Sequence, residues 1–305
     1  MKNNSLKFAS IDIGGTNTRF AIFENDKIIK KIKFSTNQDD YKETLDKICN
    51  LLDEYNISGV GLCIPGPADY ENGIILTSPN LQGWNGKDIK KYILENSKVL
   101  EIAFENDANV MALSNHVEFN QGEKDITQFF TISTGLGAGL VINNKIFTGS
   151  KYLAQEIARA PIAPISEPGF HLPEYSLELF CSGTGFALRY EKATNIKKST
   201  KEICEAYLAK NDSVAYKIIS EGIEVLARLI SISIAFVNPN LISFGGSVTE
   251  FNKWFVEEAI QRAKSWTEEN QFNSVRFVFD KNGDDSALFG LNYLIKSKFA
   301  ENKRG

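Results

Sequence analysis

Ser10-Ile11-Asp12-Ile13-Gly14-Gly15-Thr16-Asn17-Thr18-Arg19-Phe20 is the stretch on which the fold turns. A short apolar run meets an acid, a glycine pair and a hydroxyl before apolar residues resume, which predicts a strand, a tight turn and a second strand. Gly14 and Gly15 are expected to adopt backbone angles closed to other residues and to let the main chain approach a ligand. Thr16, Asn17 and Thr18 offer donors to phosphate oxygens. Asp12, at the strand end, cannot bind phosphate itself but can hold a magnesium ion or its waters. A plain β-hairpin with Gly-Gly at its turn fits the same residues, so the rest of the chain must decide.

Outward from that stretch, Asn25-Asp26-Lys27 reads as a turn and 28–34 as a third strand. Tyr41, Leu45, Ile48, Leu51 and Leu52 fall at helical spacing, and 58–64 is a buried strand closed by Pro65-Gly66-Pro67. That order places the fourth strand beside the first through a crossover helix. The opening pattern returns about 120 residues later. Phe129 to Ile132 is an apolar strand, Ser133-Thr134-Gly135-Leu136-Gly137-Ala138-Gly139 a second glycine turn, and Asn143-Asn144-Lys145 a second Asn-rich turn. Two copies of one supersecondary unit argue for two similar α/β domains facing each other, both glycine turns on the cleft. Neither turn has the dinucleotide-binding spacing, since Gly135-x-Gly137-x-Gly139 leads into a strand, and no Walker A sequence occurs. A nucleotide would therefore have to be held by hairpin turns.

Between the two copies, 73–85 reads as an irregular loop, 88–95 as a short helix, 100–104 as a strand and Glu105-Asn106-Asp107-Ala108-Asn109 as the start of a helix, with Asp107 suited to its N-cap. After the second copy, 149–173 is irregular and proline-bearing, a loop or flap. Helices follow over 176–190, 200–208 and 214–237. A strand at 241–244 then enters a third glycine turn, Gly245-Gly246, which suits the close approach of a flat ring. A late strand at 275–279 and a closing helix from Ala287 end the pattern.

The chain of 305 residues is long enough for two domains, and 43% hydrophobic with 24% charged residues is ordinary for a globular protein. A net charge of -4 gives no reason to expect a nucleic-acid surface. Cysteines 49, 63, 181 and 204 stand far apart, indicating neither a disulfide framework nor a zinc ribbon, and a reducing cytoplasm fits best. Polar Lys2, Asn3 and Asn4 leave no apolar region for a signal peptide, and Leu229 to Val237 is too short to span a membrane.

Assembled, these residues resemble the ROK family of sugar kinases over about Phe8 to Ile295. The resemblance rests on the ordered motifs Asp12-Ile-Gly-Gly-Thr16, Pro65-Gly66, Pro79-Asn80-Leu81-x-Gly83-Trp84, Glu105-Asn106-Asp107-Ala108-Asn109, Ser133 to Gly139, Glu156-Ile157, Leu177-Glu178 and Phe244-Gly-Gly246. It implies an α/β, two-domain actin/hexokinase/Hsp70-like (ribonuclease H-like) ATPase fold. The domains would span 1–118, with the helix at about 287–305 packing back on the first, and 119–286.

By the same resemblance Gly14, Gly15, Thr16, Asn17, Thr134, Gly135 and Gly137 would hold the phosphates of ATP, Gly245 and Gly246 the adenosine, and Asp12 a magnesium ion. Asn80, Asn106, Asp107, Glu156 and Glu178 would bind the sugar, with Asp107 as general base. Many family members follow Glu-Ile-Gly-His with a cysteine-rich zinc loop; here the stretch reads Glu156-Ile157-Ala158-Arg159 with no cysteine before Glu178. No structural zinc is therefore expected, and His171 alone makes a poor zinc site. Arg159, one turn beyond Glu156 if the segment is helical, is a candidate to pair with Glu156 or Glu178 or to donate to a sugar oxygen.

The expectation is an ATP- and magnesium-dependent kinase of glucose or a related hexose at its terminal hydroxyl, cytoplasmic and homodimeric, with no nucleic-acid or membrane partner. Alternatives are an N-acetylmannosamine, fructose or β-glucoside kinase, or a sugar-sensing regulator of the same family. Only eleven residues precede Asp12, too few for the regulators' DNA-binding module, and the retained Asp107 argues against a catalytically dead sensor.

Overall fold

Phe8–Ile13 (β1), Asn17–Glu24 (β2) and Lys27–Ser35 (β3) form an antiparallel meander in the computed structural model, which describes residues 6–302. The polar lead at 2–4 and the last three residues of the closing helix expected over 287–305 lie outside the described residues. Alternation sends Ala9, Ile11 and Ile13 of β1 to one face, where they join Phe20 and Ile22 in the first core. The β2–β3 turn puts Asn25 and Asp26 at φ of 49° and 60°, the paired left-handed geometry that matches strand twist.

Helix α1 (Tyr41–Glu54) starts where the Asp40 side chain accepts from the Lys42 N–H, and it buries Leu45, Ile48 and Leu52. It leads into β4 (Gly59–Cys63), which lies parallel to β1 in the register Ile11↔Leu62. The stretch 73–85 is more ordered than its sequence suggests. Ala68–Asp69 (β5) and Ile74–Ile75 (β6) make a small antiparallel ribbon, and Gln82–Trp84 form a single 3-10 turn seating the fully buried Trp84. Helix α2 (Ile89–Asn96), strand β7 (Glu101–Glu105) and helix α3 (Asp107–Glu118) follow, completing a five-stranded sheet in the order β3-β2-β1-β4-β7.

The next sheet repeats that plan. Ile126–Ile132 (β8), Leu136–Ile142 (β9) and Lys145–Ile146 (β10) are an antiparallel meander, with Asn143 and Asn144 at φ of 55° and 58° in the second turn. Helices α4 (Leu177–Cys181), α5 (Gly183–Thr194), α6 (Thr200–Ala209) and α7 (Ser213–Val237) lead to β11 (Leu241–Gly245), parallel to β8. Ser182 breaks 176–190 into α4 and α5, because its side chain accepts from the Gly185 N–H and starts a new helix. Helices α8 (Ser247–Phe251), α9 (Lys253–Lys264) and α10 (Glu269–Asn273) precede β12 (Arg276–Phe279), giving the order β10-β9-β8-β11-β12. Strand for strand, this is the arrangement of the first sheet. It is the structural form of the repeat read in the sequence.

Helix α11 (Ser286–Glu301) returns to the first sheet and packs on β4. A Cβ at Gly61 would lie 2.7 Å from the Leu291 carbonyl, so only glycine lets that helix seat. Two compact units result: residues 6–118 with Thr148–Ala154 and 284–302, and residues Phe119–Phe147 with Gln155–Gly283. Each has its own buried core. Among the described residues no helix is long and apolar enough to cross a membrane.

Candidate functional site

In the first unit, the β1–β2 turn closes on a 3.0 Å bond from the Gly14 N–H to the Asn17 carbonyl. Neither Gly14 nor Gly15 has positive φ, which corrects the expectation that unusual backbone angles explain the pair. Close approach explains Gly15 instead, since a Cβ there would sit 2.7 Å from Cβ of Asn80. The turn thus lies directly against the exposed Asn80, while the Gln38 amide donates to the Gly15 carbonyl at 2.8 Å. Thr16 is exposed and Asn17 half-buried.

Asp12 is paired across the strands with Arg19, a residue the sequence reading passed over. Nε and Nη2 of Arg19 both donate to Oδ2 of Asp12, at 3.0 and 2.6 Å. No described donor is bonded to Oδ1. One free carboxylate oxygen, with water and phosphate oxygens completing the shell, is a donor set that magnesium accepts, so Asp12 fits the role expected of it. Among the described residues, no group of three or more His, Cys, Asp or Glu is placed to hold a metal ion, and all four cysteines are buried free thiols.

Asp107 opens α3, and the cap expected of it falls to Asn106, whose Oδ1 accepts from the Ala108 N–H at 2.9 Å. Asp107 Oδ1 accepts from the same N–H at 2.8 Å, leaving Oδ2 outside the helix turn. Solvent reaches the Asp107 side chain, yet protein surrounds it densely, and that desolvation pushes its carboxyl above the ordinary value; nearby Asp12 adds repulsion while backbone N–H donors oppose the rise. Behind it, the buried Glu105 accepts from the Asn106 N–H and the Asn109 amide, and burial raises its pKa too. Tyr70, also unmarked in the sequence reading, is buried with its hydroxyl beside the Asn106 side chain. A turn-adjacent aromatic next to Pro65-Gly66-Pro67 carries no pattern that would have singled it out.

In the second unit, the Ser133 N–H donates to the Gly135 carbonyl, and the Gly183 and Thr184 N–H groups at the start of α5 donate to the carbonyls of Ser133 and Thr134. Thr134 is exposed, and Gly135 and Gly137 are half-buried. Gly246 has φ of 87°, and a Cβ there would lie 2.5 Å from the Ile132 carbonyl; Gly245 packs on Phe129. Between the 133–134 turn, the first turns of α5 and α6 and the start of α8 lies a cavity of about 950 Å³. Ser133, Thr134 and Thr200 give it polar edges, and Leu208, Phe251 and Trp254 give it apolar walls. Such a mix of a few polar groups with flat apolar surface suits a nucleoside.

Glu178, in the first turn of α4, lies against the same glycine turn, its Oε2 accepting from the Leu136 N–H at 3.3 Å. Glu156 and Arg159 are exposed, in turns between β10 and α4. The helical turn that would have set Arg159 over Glu156 is absent. The structure therefore gathers Asp12, Gly14, Gly15, Thr16, Asn17 and Asn80 in one place, Asn106 and Asp107 at the head of α3, and Thr134, Gly135 and Glu178 around the second turn.

An N-acetyl-D-glucosamine kinase of Vibrio cholerae serotype O1 is 30% identical over 307 residues, covering 94% of this chain and 99% of its own. The N-acetyl-D-glucosamine kinase of Vibrio atlanticus is 28% identical over 308 residues, with the same coverage. The ROK hexokinase from Thermus thermophilus superposes with a TM-score of 0.82 at 22% identity, over 97% of this chain and 100% of that one. The shared fold is that of the actin/hexokinase/Hsp70-like ATPases. The pattern of the ROK family matches residues 8–298. Since that span opens with the first residue of β1 and runs into α11, taking in both copies of the repeated sheet, the chain belongs to the ROK family.

Proposed function

We propose that this chain transfers the γ-phosphoryl group of ATP to the terminal hydroxyl of an N-acetylated hexosamine, N-acetyl-D-glucosamine foremost. An ATP-dependent sugar kinase is what its family and full-length relatives make it. The finer step moves the acceptor from the glucose suggested by the sequence to an aminosugar, and the names of relatives matched along nearly their whole length support it.

The observation that carries the mechanism is the division of labour at the head of α3. Asn106 caps the helix, so the Asp107 carboxylate keeps an oxygen for chemistry. A sugar hydroxyl is a poor nucleophile; Asp107 accepts its proton as the bond to phosphorus forms, and a carboxylate of raised pKa is the better base. In the first unit Asn80 and Asn106 carry amides suited to sugar hydroxyls, each of which needs a partner once desolvated, and in the second unit Glu156 and Glu178 carry carboxylates suited to the same chemistry. The turn at 14–17 in the first unit and the turn at 134–137 in the second each offer donors suited to phosphate, and the cavity beside Gly246 receives the adenosine. Asp12, oriented by Arg19, would hold magnesium, which when bound offsets phosphate charge.

The test is ADP release, coupled to a second enzyme, with N-acetylglucosamine, N-acetylmannosamine, glucose, fructose and a β-glucoside at saturating ATP. The highest kcat/KM is expected with N-acetylglucosamine. A preference for an unsubstituted hexose overturns the aminosugar acceptor.

A further inference from the structure

We propose that Tyr152 is a specificity-determining residue whose ring forms the wall against which the acceptor sugar's non-reacting substituent packs; this rests on the aminosugar reading above. Tyr152 lies in the first unit with φ of 57°. Among the described non-glycine residues with positive φ, the others are Asn, Asp, Gln or Lys, and Tyr152 is the sole aromatic. A bulky side chain is unfavourable there, and strain of this kind persists where surrounding structure imposes it, often at ligand-binding positions.

Core packing does not account for the strain, because Tyr152 remains 36% exposed. What the conformation achieves is placement. The Tyr152 hydroxyl donates to Oε2 of Glu71 at 3.2 Å, and its ring stands edge-on to Tyr70 with centroids 6.5 Å apart. Tyr70 is 7% exposed, and its hydroxyl lies beside the side chain of Asn106, the residue before Asp107. A chain of contacts therefore runs from the exposed ring of Tyr152 through Tyr70 and Asn106 to the proposed base.

The chemistry of that wall is selective. An aromatic ring held at two points is a flat apolar surface that orders at little entropic cost. It accepts a methyl group or a C–H face, and it gives a hydroxyl no partner. An acetamido substituent presents a methyl; the hydroxyl of an unsubstituted hexose at that position would be desolvated without a hydrogen bond.

The experiment compares the full chain with Tyr152→Gly and Tyr152→Phe, measuring kcat and KM for N-acetylglucosamine, glucose and ATP, and the melting temperature. Glycine suits the backbone at this φ, so Tyr152→Gly is expected to melt no lower than wild type. Its KM for N-acetylglucosamine should rise on the order of tenfold, and its preference over glucose should fall by a similar factor, with KM for ATP unchanged. Tyr152→Phe keeps the ring and should keep the preference. Wild-type activity on N-acetylhexosamines with an unaltered preference in Tyr152→Gly overturns this proposal alone. Wild-type activity confined to unsubstituted hexoses removes the acceptor assignment, and this proposal with it.

Discussion

Arg19 gives two N–H donors to a single oxygen of Asp12, so the carboxylate is aimed while its other oxygen stays available. The pair is partly open, with side-chain exposures of 33% and 22%, and screening holds its contribution to stability to about 0.5–1 kcal/mol. Its larger effect should be on the aim of Asp12. Arg19→Met is therefore expected to shift a urea melt only slightly while lowering kcat at least about tenfold. Asp12→Asn should raise the magnesium concentration needed for half-maximal turnover. A magnesium titration with both variants checks the assignment, and Arg19→Met with full turnover would refute it.

Desolvation first, and Asp12 second, raise the pKa of Asp107 in the fold. A raised carboxyl favours the folded state below its unfolded pKa, and this advantage is lost as pH rises through the folded pKa. At neutral pH the ionised Asp107 is thus a cost to stability. Asp107→Asn should lower kcat by roughly two to four decades. It should also melt at or above the wild-type temperature at pH 7, with the difference vanishing in acid. Wild-type kcat should fall off on the acid side at a pH above the ordinary carboxylate range. A variant that both melts lower and turns over normally would make Asp107 a structural residue only.

The sheet plan was legible because it is written twice. An apolar strand, a glycine turn, a second strand and an Asn-rich turn recur, and the paired positive φ values at Asn25–Asp26 and Asn143–Asn144 are the local chemistry behind that pattern. Asp12 and Asp107 were legible as acids at strand ends and helix starts. Arg19 was hidden because its significance is a cross-strand pairing, Asp12↔Arg19, which depends on register. Tyr70 was hidden because its contact with Asn106 joins residues far apart in sequence. The assignment of the cap to Asp107 failed by one residue, since Asn and Asp are almost equally good caps and α3 begins at the second of them. The helical face that would join Glu156 and Arg159 is absent because that segment folds as turns, which spacing alone does not distinguish from a short helix.

Gly246 and Gly86 make a controlled comparison. Both have positive φ, 87° and 71°, but a Cβ at Gly246 would meet the Ile132 carbonyl at 2.5 Å, whereas at Gly86 nothing lies within 4 Å. Gly86→Ala should cost only the backbone penalty, about 1 kcal/mol. Gly246→Ala adds a clash at the end of β8 and should cost roughly 2–4 kcal/mol, with a raised KM for ATP because α8 must shift. Chemical melts of the two variants measure the difference. Equal losses would mean that the Gly246 turn can relax.

Trp254 offers a direct test of the proposed nucleotide cavity. One side of its environment is the cavity itself, and its ring is stacked on Tyr207, with centroids 5.0 Å apart and planes at 8°; Tyr207 stacks in turn on Tyr216. The stack holds the indole in place, so a base entering the cavity meets a fixed apolar wall. Adenine nucleotide should therefore change the tryptophan emission. Of the other two tryptophans, Trp84 is fully buried in the first core, and Trp266 does not line the cavity. Trp254→Phe should abolish most of the change. It should also raise KM for ATP several-fold, the equivalent of about 0.5–1.5 kcal/mol of aromatic contact, and leave the sugar KM unmoved. A titration with ADP and with its non-hydrolysable triphosphate analogue separates the outcomes. An undiminished signal in Trp254→Phe, together with an unchanged KM for ATP, would place the adenosine outside this cavity.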